Sequence, residues 1–346
     1  YTLLLSDNHA FLGAGAKDWR LTSFYPALAA WEDGEFALNP VTRAGRYAYS
    51  ARADYAADIF VPEDYDVASS GEILREDAGN GFDRVRVELK NACGFGVVVS
   101  RKFHVREGQA ASGVKVRAFG QSRGKLSAAR DAAIDALNAL EPLLGSYPYD
   151  TLTIVQAQSV NEMQVGGVLI LSESDWANTD TLRARVTALT AQVFLSDVVQ
   201  VNPGSEAWLI EGASEYLSLL LTEDSEGEAA FAAALDALVR PALQVTIPGG
   251  LSVDSFTNRF ATQREYEIVT RERGAAVMHE LRLLMGRDAF LNGMRLYVRE
   301  NRFAQATYRS FAAALSEAFG RDVTDALIHH LYSIDEYAQE SLEAYD

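Results

Sequence analysis

The stretch Trp208-Leu209-Ile210-Glu211-Gly212-Ala213-Ser214-Glu215-Tyr216 decides how this chain is read. It lies within residues 206–221, whose apolar spacing predicts a helix. Working outward, the chain after Asp175 reads as almost wholly helical, with further helices expected over 180–195, 228–238, 265–285, 287–301, 308–319 and 323–332. Pro203, Pro248-Gly249-Gly250 and Gly286 fall between them as breakers. Toward the N-terminus, residues 125–144 read as a helix ended by Gly145 and Pro148. Short strands follow at 151–155 and 168–171, joined by a loop carrying Met163 and Gly166-Gly167. Before Gly120 the period changes to that of antiparallel strands at 58–61, 85–89, 97–100 and 114–117, bounded by Gly, Pro, Asn or Asp. The expected class is α+β: an antiparallel β-rich domain, sandwich or saddle, over residues 1–120, then a mostly helical domain over 121–346. No linker, repeat or low-complexity tract marks the boundary.

Composition removes several function classes. The chain has 346 residues, 48% of them hydrophobic, which suffices for about two domains and a sizeable core. Lys+Arg 31 against Asp+Glu 48 gives a net charge of −17, which repels phosphate backbones and anionic membrane surfaces. No nucleic-acid partner is expected. No apolar run reaches the roughly 18 residues that a membrane span requires. One cysteine, Cys93, allows neither an internal disulfide nor a cysteine-built metal site. The chain starts at Tyr1 without methionine or signal peptide, so an excised or processed piece is expected.

Few residues offer catalytic chemistry. The histidines are His9, His104, His279, His329 and His330, and none falls between residues 105 and 278. A zinc hydrolase helix needs imidazoles at i and i+4, which share a face and converge on one ion. His279-Glu280-Leu281-Arg282-Leu283 has the first His and the Glu but Leu283 at the second position, so it reads as a surface step on an amphipathic helix. His329-His330 reads as a solvated last turn, suited to a helix C-terminus. Gly120-Gln121-Ser122-Arg123-Gly124 fits the nucleophile-elbow pattern between a strand and a helix. The approach Val114-Lys115-Val116-Arg117 alternates, however, where an elbow strand is continuously apolar, so Ser122 reads as a turn or N-cap.

Three segments in order carry a family resemblance: Gly145-Ser146-Tyr147-Pro148-Tyr149-Asp150-Thr151-Leu152, then Met163 to Gly167, then the Trp208–Tyr216 stretch. With Val61-Pro62 and Tyr65 before them, and Arg273-Gly274-Ala275 and Leu281-Arg282 after, the series resembles the membrane alanine aminopeptidase family of zinc peptidases, the gluzincins. More narrowly it resembles their bacterial, often exported branch. The resemblance implies an N-terminal β domain, a thermolysin-like domain with a small mixed sheet, and an extracytoplasmic or cell-surface location.

Against that family, the chemistry is missing. The family binds zinc through HExxH and a Glu on the next helix, within W-L-x-E-G. Alignment on Leu189, Gln192 and Phe194 places Thr187 and Ala191 on the histidines and Ala188 on the general base, leaving Glu211 alone. In the family's G-A-M-E-N segment, whose Glu holds a substrate amine, this chain reads Asn161-Glu162-Met163-Gln164-Val165, so Gln164 cannot pair an ammonium by charge. The oxyanion-stabilising tyrosine falls on Arg271, and Tyr266, about a turn away, substitutes only if the helix shifts. Structural zinc reaches about 10–16 kcal/mol with four good ligands, and loss of a general base costs about 10²–10⁴ in rate. The expected function is a catalytically inactive aminopeptidase-like domain that binds peptide or protein, through Met163, Gln164, Val165, Gly166 and Gly167, or serves as a structural module. No cofactor is expected. The alternatives are a residual zinc peptidase recruiting ligands such as His279 or His329, and serine hydrolysis at Ser122.

Overall fold

The expected alternation becomes strands wherever one face can be buried. The computed structural model describes residues 2–343 except 6, 8–11, 33, 47, 102 and 160, with side chains as far as Ile334; His9 lies outside the described residues. The chain forms two compact units, each assembled from three stretches. The first takes Tyr1–Trp31, Ser50–Glu141 and Ser146–Val193; the second takes Glu32–Tyr49, Pro142–Gly145 and Phe194–Asp346.

The first unit is β-rich. Strands β1 (Leu12–Ala14), β2 (Asp18–Thr22), β3 (Ala53–Pro62), β4 (Asp66–Ser69), β5 (Glu72–Gly79), β6 (Phe82–Ala92) and β7 (Gly96–Ser100) form two antiparallel sheets, ordered β1-β2-β7-β4 and β3-β6-β5. A mixed sheet follows, built from β8 (His104–Gln109), β9 (Lys115–Gly120), β10 (Thr151–Gln156), β11 (Met163–Val165) and β12 (Val168–Leu171) in the order β8-β9-β10-β12-β11. Its inner pairs β9-β10 and β10-β12 are parallel, and the outer pairs antiparallel. The central strand β10 is buried from Thr151 to Val155, as a strand covered on both faces must be. Ala68 and Val98 of the four-stranded sheet share a core with Phe119, Val155, Val168 and Ile170 of the mixed sheet. The change of period near residue 120 falls inside this sheet, because β9 pairs with β10 across the intervening helix α1 (Leu126–Leu144). Along α1, Leu126, Ala129, Ala133, Leu137 and Leu140 recur at helical spacing and are all fully buried. Helix α2 (Thr179–Val193) lies against β11 and β12.

The second unit is helical, with α3 (Ala207–Glu226), α4 (Glu228–Gln244), α5 (Gln263–Tyr266), α6 (Arg273–Met285), α7 (Arg287–Glu300), α8 (Tyr308–Phe319) and α9 (Thr324–Glu343). A π-helical segment, Glu267–Glu272, joins α5 to α6 without a break. Helices α3 and α6 meet where Gly212 faces Gly274: a Cβ on Gly212 would stand 2.6 Å from the Gly274 backbone. Trp208, fully buried, packs edge-on against Phe311 at 6.1 Å. Helix α9 runs past the expected 323–332, with non-helical backbone at Ser333. Among the described residues, no helix is long and apolar enough to cross a membrane.

Candidate functional site

Glu211 is the fifth residue of α3, beyond the first turn, so the helix dipole contributes little to it. Its neighbours hold it instead. The Tyr266 hydroxyl donates to Glu211 Oε1 at 3.2 Å, and Arg46 Nε lies 3.3 Å from the same oxygen. The side chains of Glu211 and Arg46 are 11% and 16% exposed, so the pair is only partly screened by water.

Two local devices bring these partners in. The π-helical turn widens the rod by one residue per turn and changes the phase of what precedes it. That is the helix shift on which Tyr266 depended. Tyr266 therefore occupies the carboxylate's side, while Arg271 pairs with Glu267 at 3.6 Å and Glu272 at 3.8 Å within its own segment. The phenol is 3% exposed, and burial, reinforced by Glu211, pushes its pKa well above the ordinary tyrosine value. It stays a donor at physiological pH. The second device is Gly45, whose positive φ of 67° and missing Cβ let the chain lie on the Tyr266 ring; a Cβ there would come within 2.3 Å. Its N–H donates to Gln263 Oε1 at 2.9 Å, and Ala44 joins Ala207, Phe260, Tyr266 and Val269 in one buried cluster. Arg46 is thus delivered by a segment remote in sequence, which no local motif announces.

The positions aligned on HExxH lie on α2. Ala188 and Ala191 are 3% and 0% exposed, Thr187 is half-buried, and none carries an imidazole or a carboxylate. Among the described residues, no group of three or more His, Cys, Asp or Glu side chains is arranged to hold a metal ion. The donor set does not fit zinc. A hydroxyl and two methyl groups stand at three of the four family positions, and the Glu211 oxygen already pairs with a guanidinium and accepts from a phenol.

The segment Met163–Val165 is an edge strand, with Gly166 and Gly167 forming a tight corner at φ 52° and 78°. Both positive angles call for glycine. Val165 C=O accepts from Ser70 Oγ at 3.3 Å, and Gln164 is 2% exposed. Glu162 pairs with Arg185 of α2 at 3.5 Å.

Two expectations are corrected. His279 is not on the surface: it is 4% exposed, because α6 packs against α3, α4, α7 and α9 and so has no solvated face there. Its Nδ1 lies 3.0 Å from the Tyr216 hydroxyl, and burial, with Arg282 second, lowers its pKa to about 4. Nor is His330 solvated, being 8% exposed in the last turn before the non-helical backbone at Ser333; His329 is exposed. Ser122 sits exposed in the bend before α1.

Comparison with known proteins bears out the family resemblance. Residues 190–330 match the Peptidase family M1 domain. No curated protein matches the chain in sequence. Among solved structures, the M1 zinc metallopeptidase from Deinococcus radiodurans superposes with a TM-score of 0.65 at 18% identity, covering 82% of this chain and 64% of that one. A mutant of the same enzyme gives 0.66 at 18% identity, covering 82% and 65%. A two-domain M1 zinc metallopeptidase mutant bound to L-tryptophan gives 0.64 at 17%, covering 82% and 64%. The chain therefore has the M1 metallopeptidase fold, a β-rich region followed by a helical one, and spans just under two thirds of those chains.

Proposed function

We propose that this chain is a catalytically inactive M1-type aminopeptidase-like domain with a structural or protein-binding role. The observation that carries the reading is the engagement of Glu211 by Arg46 and Tyr266. The remaining family carboxylate is neutralised by the protein itself, while Thr187, Ala188 and Ala191 supply neither ligand nor base. Without a metal-activated water or a general base, amide hydrolysis has no nucleophile near neutral pH. For a protein-binding role, the 163–167 edge strand is the surface to which a peptide backbone would add. An extracytoplasmic site of action belongs to the same proposal and rests on the family resemblance.

The test is zinc analysis of the purified protein beside turnover of aminoacyl anilides. The expected result is substoichiometric zinc and no turnover above buffer, with or without chelator. Stoichiometric zinc with chelator-sensitive turnover, both lost in Glu211→Ala, would establish the residual peptidase instead. Labelling by a fluorophosphonate that vanishes in Ser122→Ala would do the same for serine hydrolysis.

A further inference from the structure

Within the β-rich unit, a cavity of about 540 Å³ opens among β4, β5, β8 and β9. Its apolar lining is Val67 and Phe119, both buried, with Ile73 and Val105 half-buried. Its charged lining sets three guanidiniums, Arg75, Arg106 and Arg117, against two carboxylates, Asp66 and Glu107. That surplus of one positive charge stands in a chain whose net charge is −17.

The guanidiniums are tethered. Arg75 donates from Nε to Asp83 at 2.6 Å and from Nη2 to the Tyr65 and Glu63 carbonyls at 2.8 and 3.1 Å, with Nη1 3.9 Å from Asp66 Oδ1. Arg106 Nη1 donates to the Val105 carbonyl at 3.0 Å. Arg117 Nη2 donates to the Gly71 carbonyl at 2.7 Å, a carbonyl that Thr151 Oγ1 also reaches at 3.0 Å. Arg117 Nε is buried with no hydrogen-bond partner. Burial lowers the Arg117 pKa, with Glu72 and Glu107 opposing that effect. Each guanidinium carries five N–H donors, more than these bonds use, and a charged oxygen is their strongest acceptor.

We propose that this cavity binds a small monocarboxylate with a compact apolar body. The planar carboxylate matches guanidinium geometry, and the aliphatic and aromatic walls receive the rest of the molecule. Phosphate has no apolar body to set against Val67, Ile73, Val105 and Phe119, and its oxygens lose hydration there without partners, which disfavours it. The volume lies within the usual range for small-molecule sites.

Calorimetric titration of the full chain with phenylacetate tests this. Saturable one-to-one binding is expected, weakened about ten-fold or more in Arg117→Gln and in Arg106→Glu. Arg106 is exposed, so its variant keeps the fold and carries the test if Arg117→Gln does not fold. Phenylacetamide and inorganic phosphate should each bind about ten-fold or more weakly than phenylacetate. Absence of saturation at tens of millimolar, equal binding of phenylacetamide or phosphate, or unchanged affinity in the folded variants would overturn the proposal.

Discussion

Arg46 gives Glu211 a cation without any metal, and its removal should be felt. In Arg46→Met, a largely buried carboxylate loses its guanidinium while keeping the Tyr266 hydroxyl, at an expected loss of about 1–3 kcal/mol in unfolding free energy. Adding Glu211→Gln should recover much of that loss, because the uncompensated charge disappears. Urea denaturation of the two single variants and the double variant reads the coupling, and strictly additive losses would show that the pair does not interact. Two other residues set the pH dependence. Glu206 is pushed up to about 8, chiefly by burial, with Asp254 and Glu32 adding to the shift and the Tyr308 N–H opposing it. Between pH 4.5 and about 8 the folded chain holds a proton that the unfolded chain releases, so stability falls as pH rises through that window. His279, lowered to about 4, has the opposite sign: its contribution is present above pH 6.5 and is lost as pH falls toward 4. Between about pH 7.5 and 8, then, Glu206→Gln should flatten the decline, while His279→Phe should leave the slope nearly unchanged; urea midpoints across that range are the check. At this scale the identities of Thr187, Ala188 and Ala191 were plain in the sequence, none being an imidazole or a carboxylate. Arg46 was not, since nothing near residue 46 resembles a site and its partner lies roughly 165 residues away.

Among the elements, the α3–α6 contact is set by two glycines. A methyl on Gly212 would press into the Gly274 backbone at 2.6 Å, and neither helix can yield without moving its neighbours. Gly212→Ala should therefore destabilise the helical unit by about 1–3 kcal/mol despite its better helix propensity, seen as a lower thermal midpoint with unchanged far-UV signal. Stability equal to or above the parent would mean that the helices separate freely. Most helices were legible from apolar spacing and their breakers, including α1 and α7. The π-helical turn was not legible, because residues 265–285 keep a helical apolar pattern whether the backbone winds as α or π. That one ambiguity decided whether Arg271 or Tyr266 would reach Glu211. Strands β1 and β2 were not legible, being three and five residues long, with β2 paired to the much later β7.

For the whole molecule, the class and a family resemblance were legible in the sequence, but the path of the chain came only from the structure. The mixed sheet recruits β8 and β9 from before the change of period, so the period shifts near residue 120 inside one sheet. The family match over residues 190–330 corresponds to much of the helical unit, yet that unit also takes in Glu32–Tyr49. During synthesis this has a cost in time. The stretch bearing Gly45 and Arg46 leaves the ribosome tethered at both ends to β-rich neighbours, while the helices it will embrace are still untranslated. At about 5–20 residues per second, Glu211 follows Arg46 by roughly 8–33 s. For that interval the nascent polypeptide carries this loop without the helices that later bury Ala44 and cover Gly45.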